Sequence, residues 1–359
     1  MADTSVSYKC PNCGAPLSFL PGKKTVSCQY CNAEFEAATL DEIFHDKNER
    51  AAHTFFGWTE DEIKNFRAFT CSSCGAELVC DENTMATECV YCGNPTMIPK
   101  RFDGMLKPKF IIPFKKTKED AVTALKNFYK GKYLLPSGFT ANNRVEAIQA
   151  MYVPFWLFDA TISAQAEFKA EKIHKLDVGK TTVTEKKIFD SKREGTMSFE
   201  KIPADGSKKM DDDYMDSIEP FDFSELVPFS ASYFAGYLAD KYDVSAEECT
   251  SRADERIRNS AIKVFSDDIR GILVGDKGNV TTKYINFVRD AAKVNYAMLP
   301  VWILTTRYKD KPYTFMMNGQ TGKVVGELPY SFIKSIVYPA LIALLSFPIF
   351  YLFYLLVSD

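Results

Sequence analysis

Apolar and polar residues alternate in the middle of the chain as they do in half-buried antiparallel strands. The alternation is clearest in AEFKAEKI at 166–173, in TTVTEKKIF at 181–189 and over 305–328. Successive side chains of a strand point to opposite faces, so that one face packs while the other meets water. The pattern predicts an antiparallel sheet in this part of the chain.

Two segments show the period of an amphipathic helix and an N-terminal capping pattern. Thr117 and Asp120 open the first helix, and Ser245 and Glu248 open the second. In each pair the hydroxyl and the carboxylate satisfy backbone N–H groups of the first turn. The expected buried face of the first helix holds Ala121, Val122, Leu125, Phe128 and Tyr129, and that of the second holds Cys249, Ala253, Ile257, Ala261, Val264 and Phe265.

A motif is repeated within this region. MYVPFWLFDATI at 151–162 and AMLPVWILTTRY at 297–308 both place proline two residues before tryptophan inside an apolar run. Strands and helices are mixed between and around the two copies, which is typical of an α+β fold. We therefore interpret 101–330 as one α+β domain and raise the hypothesis that it is duplicated.

The end of the chain has a different pattern. The segment 335–357 is 23 residues without a charge. At 1.5 Å per residue a helix of this length reaches about 34 Å, which exceeds a hydrocarbon core of about 30 Å. Lys334 precedes the segment and only Ser358 and Asp359 follow it. The sequence predicts a single-pass transmembrane helix in the cell membrane, with the N-terminal bulk in the cytoplasm.

Eight of the ten cysteines form two identical patterns of C-x₂-C-x₁₄-C-x₂-C that are shifted by 61 positions. Four thiolates on two tight turns make a closed tetrahedral site, in which no coordination position is left for a substrate. The spacing predicts two structural Zn²⁺ ions; iron and free thiols are the alternatives. The predicted ligands are Cys10, Cys13, Cys28 and Cys31 for the first ion and Cys71, Cys74, Cys89 and Cys92 for the second.

The surrounding residues repeat as well, since both copies read C-x-x-C-G-A-x-L and C-x-Y-C. We assign zinc ribbons to 8–37 and 69–98 and a helical linker to 38–68. If the ribbons are independent units, loss of one metal ion should unfold one ribbon and leave 101–330 intact. Cys80 and Cys249 lie outside the two patterns and are expected to be core residues.

The net charge of −3, from 44 basic and 47 acidic residues, excludes a protein whose whole surface is basic and coats nucleic acid. Residues 1–100 hold eight basic and fourteen acidic side chains, and two tetrathiolate zinc sites would add about −4. This region would repel phosphate. The segment 101–132 has nine basic and three acidic residues, and we interpret it as a solvated face. Nucleic-acid binding is therefore the alternative function.

Catalytic patterns are absent from the sequence. His45, His53 and His174 are the three histidines, and no H-E-x-x-H or G-x-S-x-G motif occurs. The segment 319–323 is interpreted as a hairpin turn, and Asp211, Asp212 and Asp213 as a helix start. We expect that the protein is not an enzyme and that it has no catalytic residue, no cofactor-binding residue and no small-molecule substrate.

Several motifs taken together resemble one bacterial family. They are the double C-x-x-C-G-A ribbon, YVPFW, IPADGSKKMDDDYMDSIEPFD, SYFAGYLADKYD and NGQTGKVVGELP. The chain resembles the YdjG-like membrane proteins, which are commonly labelled TFIIB-type zinc-ribbon-containing proteins. This resemblance implies a non-enzymatic membrane adaptor that places an SPFH (flotillin-like) protein at the bilayer together with other envelope-stress components.

Overall fold

The computed structural model describes residues 10–358, except 20, 23–24, 37–39, 41–56, 59, 65, 82–87, 101, 103–105, 137, 140–144, 179–180, 275–277, 291 and 310. Most of the predicted helical linker 38–68, with His45 and His53, lies outside the described residues. A short helix, α1 (Glu60–Lys64), lies at the end of that linker. The α+β class predicted from the sequence is confirmed.

The first cysteine repeat forms a small sheet of its own. Its strands are β1 (Leu17–Phe19), β2 (Thr25–Cys28) and β3 (Glu34–Glu36), in the order β1-β2-β3 with antiparallel pairing. Leu17, Phe19 and Val26 are buried. This sheet is separate from the large sheet that the rest of the chain forms.

The second repeat contributes three strands to that large sheet. They are β4 (Phe66–Cys71), β5 (Glu77–Asp81) and β6 (Met97–Lys100). β5 pairs with the next strand of the sheet, where Val79 lies opposite Ala239. The second ribbon is therefore joined to the main sheet by backbone hydrogen bonds, whereas the first is not.

The large sheet has 12 strands. Its other strands are β7 (Phe110–Ile111), β8 (Val145–Val178), β9 (Thr181–Asp205), β10 (Val227–Pro228), β11 (Leu238–Asp240), β12 (Asn279–Arg289), β13 (Lys293–Tyr308), β14 (Lys311–Asn318) and β15 (Val324–Gly326). Its backbone order is β10-β7-β13-β8-β11-β5-β4-β6, with β9 and β12 flanking β8. The other α-helices with described bounds are α2 (Lys118–Tyr129), α3 (Asp212–Ile218), α4 (Ala246–Ile269) and α5 (Phe332–Ser358).

Strand β8 is 34 residues long, which corresponds to about 110 Å at 3.3 Å per residue. Its part from Ala160 to Val178 forms an arm with the paired residues of β9 and β12. The arm's inner face holds alternate residues from Ala160 to Ala170, and Ile257, Ala261 and Phe265 of α4 pack on it. The alternate β8 residues on its other face, from Thr161 to Glu171, are polar. The predicted strands 166–173 and 181–189 are both in the arm, paired with each other.

The predicted helix starts are confirmed. Thr117 and Asp120 form a capping box at α2, and Ser245 and Glu248 form one at α4. Asp211 is the N-cap of α3, so the acidic run 211–213 is a helix start. The segment 319–323 is a turn between β14 and β15, as its sequence indicated.

The two copies of the proline–tryptophan motif pair with each other. In the antiparallel pairing of β8 with β13, Val153 lies opposite Leu299 and Pro154 opposite Met298, while Pro300 lies opposite Tyr152. Val153 and Leu299 occupy the same position in the two copies of the motif. A local two-fold axis therefore passes through this residue pair.

The elements around the axis obey the same symmetry. β11 runs parallel to β8 with Ala239 beside Tyr152, and β7 runs parallel to β13 with Ile111 beside Met298. The Trp156 indole N–H donates to the Val244 carbonyl, and that of Trp302 donates to the Lys116 carbonyl, each at 2.9 Å. Both acceptors directly precede a helix N-cap.

Two glycines complete the correspondence. Gly206 N donates to the Pro154 carbonyl and Gly319 N to the Pro300 carbonyl, each at 2.8 Å. The carbonyl of each glycine in turn accepts from two consecutive backbone N–H groups just before a capped helix. The structure thus supports the hypothesis of a duplicated domain, with strand, glycine turn and helix start repeated.

The predicted membrane span lies within α5, and its side chains beyond residue 348 lie outside the described residues. Within the described residues, no helix combines the length and the apolar character needed to cross a membrane. The predicted transmembrane helix is therefore unsupported, and the predicted single-pass location in the cell membrane is contradicted by this finding.

The duplicated glycines give a first prediction. A Cβ at Gly319 would lie 2.7 Å from a Phe114 ring carbon and 2.8 Å from Pro300 Cβ. We expect Gly319→Ala to lower the free energy of unfolding by about 1–3 kcal/mol, because the side chains around it are tightly packed. At Gly206 the nearest atom would be 3.2 Å away, so Gly206→Ala should cost less.

Urea denaturation of the metal-loaded chain measures both values. Gly195→Ala is the matched control, because a Cβ added there would have no atom within 4 Å and the backbone is a strand. It should leave the midpoint unchanged or raise it slightly. Equal midpoints for Gly319→Ala and Gly195→Ala would contradict the close approach at the glycine turn.

Candidate metal centres

The first group of cysteines lies on two tight turns at one end of the small sheet. Cys10 Sγ is 3.4 Å from Cys31 Sγ, and Cys13 Sγ is 3.4 Å from Cys28 Sγ. Cys10 and Cys28 are buried, while Cys13 and Cys31 are exposed. Each turn closes with a backbone bond to its first cysteine, from Gly14 N in one and from Asn32 N in the other.

The second group has the same construction. Cys71 Sγ is 3.6 Å from Cys92 Sγ, and Cys74 Sγ is 3.6 Å from Cys89 Sγ. Gly75 N and Gly93 N close the two turns. The residue after each second cysteine has a positive φ, between 58° and 74°; three of these four are glycine, which enters that region without strain. Gly14 and Gly75 belong to the repeated C-x-x-C-G-A-x-L pattern, whereas Asn32 and Gly93 lie outside the repeated C-x-Y-C pattern, although they follow a second cysteine in the same way.

The sulfur geometry fits a tetrahedral metal ion. All four sulfurs of each group lie within 4.8 Å of one another, and a tetrahedral ion with a metal–sulfur distance near 2.3 Å requires separations of about 3.8 Å. The cysteines are not disulfide-bonded. Each group can therefore hold one ion, with a sulfur atom at every coordination position.

Backbone and side-chain donors favour the thiolate form of Cys71 at the second site. Ser73 N lies 3.4 Å and Asn94 Nδ2 3.6 Å from Cys71 Sγ. The Cys74 N–H, opposed by burial and assisted by these two donors, lowers the pKa of Cys71 to about 6. A thiolate is the form that ligates metal.

The two remaining cysteines are core residues. Cys80 and Cys249 are both buried, and neither belongs to a metal-sized group. Burial raises the pKa of Cys80 to about 12 and that of Cys249 to about 11, so both are neutral thiols. The Cys249 thiol donates to the Asp205 carbonyl at 3.4 Å. The expectation that these cysteines lie in the core is met.

The first ribbon docks on the domain through the end of its sheet that lies opposite the cysteine turns. Phe19 packs edge-on against Tyr233 and Tyr237, at ring-centroid distances of 5.1 and 6.2 Å. Phe19 N donates to the Ala235 carbonyl at 3.2 Å, and Gly22 N donates to the Phe114 carbonyl at 2.8 Å. The cysteine turns lie at the other end of this sheet.

The second ribbon docks through its cysteine turns. Lys209 Nζ donates to the Cys74 carbonyl at 2.9 Å. Glu77 pairs with Lys100 and with Lys241, at 2.7 and 3.1 Å. The hydrogen bond from Lys100, opposed by burial and assisted by Lys241, holds the pKa of Glu77 below its usual range. The second cysteine group is thus bonded to Lys209, and the neighbouring Glu77 to Lys241, both outside the ribbon.

Of the three histidines, His174 is exposed on the arm, and His45 and His53 lie outside the described residues. Among the residues that the structure describes, the two cysteine groups are the clusters of His, Cys, Asp or Glu with metal-binding geometry. The candidate functional chemistry of the described chain is therefore sulfur coordination.

The metal sites give a second prediction. The protein prepared in metal-free buffer should contain two ions per chain, and Cys13→Ser and Cys74→Ser should each contain one, as measured by elemental analysis. Because β5 pairs with β11, we expect Cys74→Ser also to increase amide exchange in β11, whereas Cys13→Ser should not. This revises the expectation that both ribbons unfold independently.

The matched control is Cys80→Ala, which removes a buried thiol beside the second site and should retain both ions. A folded wild-type chain with no bound metal would contradict the metal assignment. Unchanged exchange in β11 after Cys74→Ser would contradict the coupling between the second ribbon and the sheet.

Comparison with known proteins gives one informative match. No protein-family model matches the chain, and no solved structure matches it. The chain is 35% identical over 329 residues to a protein of Bacillus subtilis (strain 168) that bears the name "Uncharacterized protein YdjG", and the alignment covers 91% of each chain. At this identity over nearly the full length of both proteins, the chain belongs to the family of YdjG, as its motifs indicated.

Proposed function

We propose that this protein is a non-enzymatic adaptor, in which two structural Zn²⁺ ions hold two ribbons in shape for binding a protein partner. The observation that carries the proposal is the pair of four-sulfur groups, each with the separations that a tetrahedral ion needs. Zinc is the metal that most commonly takes four cysteine ligands in such turns. Full sulfur coordination suits a structural role.

One cavity of the described chain favours a non-catalytic role. It has a volume of about 520 Å³ and is lined by residues that include Asp212, Cys249 and Arg252. Arg252 is engaged in ion pairs with Asp205, Asp212 and Asp216. The Cys249 thiol is neutral and donates a hydrogen bond to a carbonyl, so it is unsuited to act as a nucleophile. These groups have structural partners, which favours binding over catalysis.

The partner that we propose is an SPFH (flotillin-like) protein, in line with the family resemblance that the motifs carry. The zinc ribbons would supply the rigid recognition surface, because metal coordination fixes a short loop that has little core of its own. The arm and the duplicated sheet would then serve as the frame on which the ribbons are presented.

Nucleic-acid binding is the second candidate function, and the described contacts disfavour it. The basic segment 101–132 is partly neutralised, since Lys107 pairs with Glu62 at 2.6 Å and Lys115 pairs with Glu225. Lys109 Nζ donates to Asn295 Oδ1 at 3.1 Å. Lysines held in this way offer less charge to a phosphate backbone than free ones do.

A binding measurement tests the adaptor proposal. The full chain and a purified SPFH protein from the same organism should bind, and removal of zinc with a chelator should weaken the complex by at least about tenfold, since the ribbons lose their shape. Biolayer interferometry gives the dissociation constants. The matched control is Cys249→Ala, which keeps both metal sites and should bind like the wild type.

The contrary results are equally defined. Binding that is unchanged after zinc removal would contradict a role for the ribbons. A salt-dependent gel shift with duplex DNA, together with no binding to the SPFH protein, would favour the nucleic-acid candidate.

A further inference from the structure

The two ribbons carry the same tyrosine on the same turn, in opposite environments. Tyr30 lies between Cys28 and Cys31, and Tyr91 lies between Cys89 and Cys92, 61 positions later. The Tyr30 side chain is 79% exposed, whereas Tyr91 packs against the domain core. The chain therefore shows one copy of this turn docked and one copy free.

The docked copy shows what the turn binds. The Tyr91 hydroxyl lies 3.9 Å from Met151 Sδ and is hydrogen-bonded to buried Asp240. Its neighbour Val90 is buried in the same cluster, which also contains Met210. The seat of this turn thus combines an apolar socket that contains methionine with a polar acceptor for the tyrosine hydroxyl.

A cation lies next to the socket. Lys209 Nζ donates to the carbonyl of Cys74 at 2.9 Å, and Cys74 lies on the other cysteine turn of the same ribbon. Four thiolates around a divalent zinc ion carry a net charge of about −2. A lysine at this position offsets that charge, so the seat is complementary to the turn in charge as well as in shape.

The turn that carries Tyr30 has the same tyrosine, but among the described residues no apolar socket, hydroxyl acceptor or cation receives it. The first ribbon docks through Phe19 at the opposite end of its sheet, which leaves Cys13, Gln29 and Cys31 exposed beside Tyr30. The two turns, CPNCG at 10–14 and CQYCN at 28–32, contain no charged side chain. With zinc bound, the charge at this end would therefore come from the thiolates alone.

We propose that the Tyr30 turn, defined as residues 10–14 and 28–32, is the docking surface for the protein partner, which presents an apolar socket for the tyrosine ring beside a lysine or arginine. This inference rests on the proposed adaptor function and locates its binding surface. Gln29 stands where the docked copy has Val90. The polar residue keeps the free turn compatible with water, so the complex is reversible.

Site-specific photo-crosslinking tests the location. The full-length chain with p-benzoylphenylalanine in place of Tyr30 is irradiated in cells, and the crosslinked peptide is sequenced by mass spectrometry. The control carries the same probe in place of Tyr284, a tyrosine that is 58% exposed on β12 of the arm. The proposal expects a discrete partner peptide from position 30 only, with a lysine or arginine near the crosslink.

Binding of the crosslinked partner, purified, then tests the chemistry. Tyr30→Ala should weaken the complex at least about tenfold, as tyrosine anchors at interface centres do, and Tyr30→Phe should weaken it less because the ring remains. Both variants should keep two metal ions and the wild-type urea midpoint, since the side chain is exposed. A charge reversal of the partner's basic residue should weaken binding as well.

The outcomes separate this inference from the adaptor proposal. A partner that binds the Tyr30→Ala chain as tightly as the wild type refutes the docking surface and leaves the adaptor function standing. Crosslinks from position 284 alone, a crosslink to a second copy of this chain, or a partner peptide without a basic residue each refute the docking surface too. A failure of every tested protein to bind the wild-type chain refutes both.

Discussion

The antiparallel pairing of β8 with β13 is the contact on which the other elements depend. Both strands carry the proline–tryptophan motif, and the local two-fold axis passes between Val153 and Leu299, which are fully buried. Each proline carbonyl accepts a hydrogen bond from a glycine N–H. Each indole N–H donates to the carbonyl that precedes a helix N-cap in the other half. Because every one of these bonds is made twice, the two halves fix each other's strand register and helix positions. A shift in the pairing would break both sets together.

This arrangement explains why the two ribbons differ in attachment although their sequences repeat. β11 is placed by its parallel pairing with β8, and its other edge then receives β5 of the second ribbon. The first ribbon pairs with no described strand of the large sheet. It docks through aromatic contacts of Phe19 and through single backbone hydrogen bonds from Phe19 N and Gly22 N. Strand pairing joins the second ribbon to the sheet, whereas aromatic packing and isolated backbone bonds hold the first. The same metal-binding unit therefore serves as a sheet extension in one copy and as an appended module in the other.

Local features were the predictable part of this structure. The cysteine groups, the capping boxes at Thr117 and Ser245 and the strands of the arm follow from spacing and short-range chemistry, which act within a few residues. The fusion of the second ribbon to β11 was not predictable, because it depends on Val79 meeting Ala239 across 160 positions of sequence. Tyr30 and Tyr91 likewise share the C-x-Y-C pattern, and this pattern does not encode the tertiary contacts that bury one and leave the other exposed. The uncharged segment at the end of the chain suggested a membrane span that the described helices do not supply.

One segment between β9 and β11, residues 206–237, determines how both ribbons are placed. At its start, Lys209 bonds the second ribbon at Cys74, and at its end Tyr233 and Tyr237 receive Phe19 of the first. The middle of the segment is tied to the second half of the domain, since Asn318 Nδ2 donates to the Ile218 and Pro220 carbonyls. At the equivalent position of the first half stands Asp205, which pairs with Arg252 of α4. The duplicated halves have thus diverged at the position that holds this segment, and the segment contacts both ribbons.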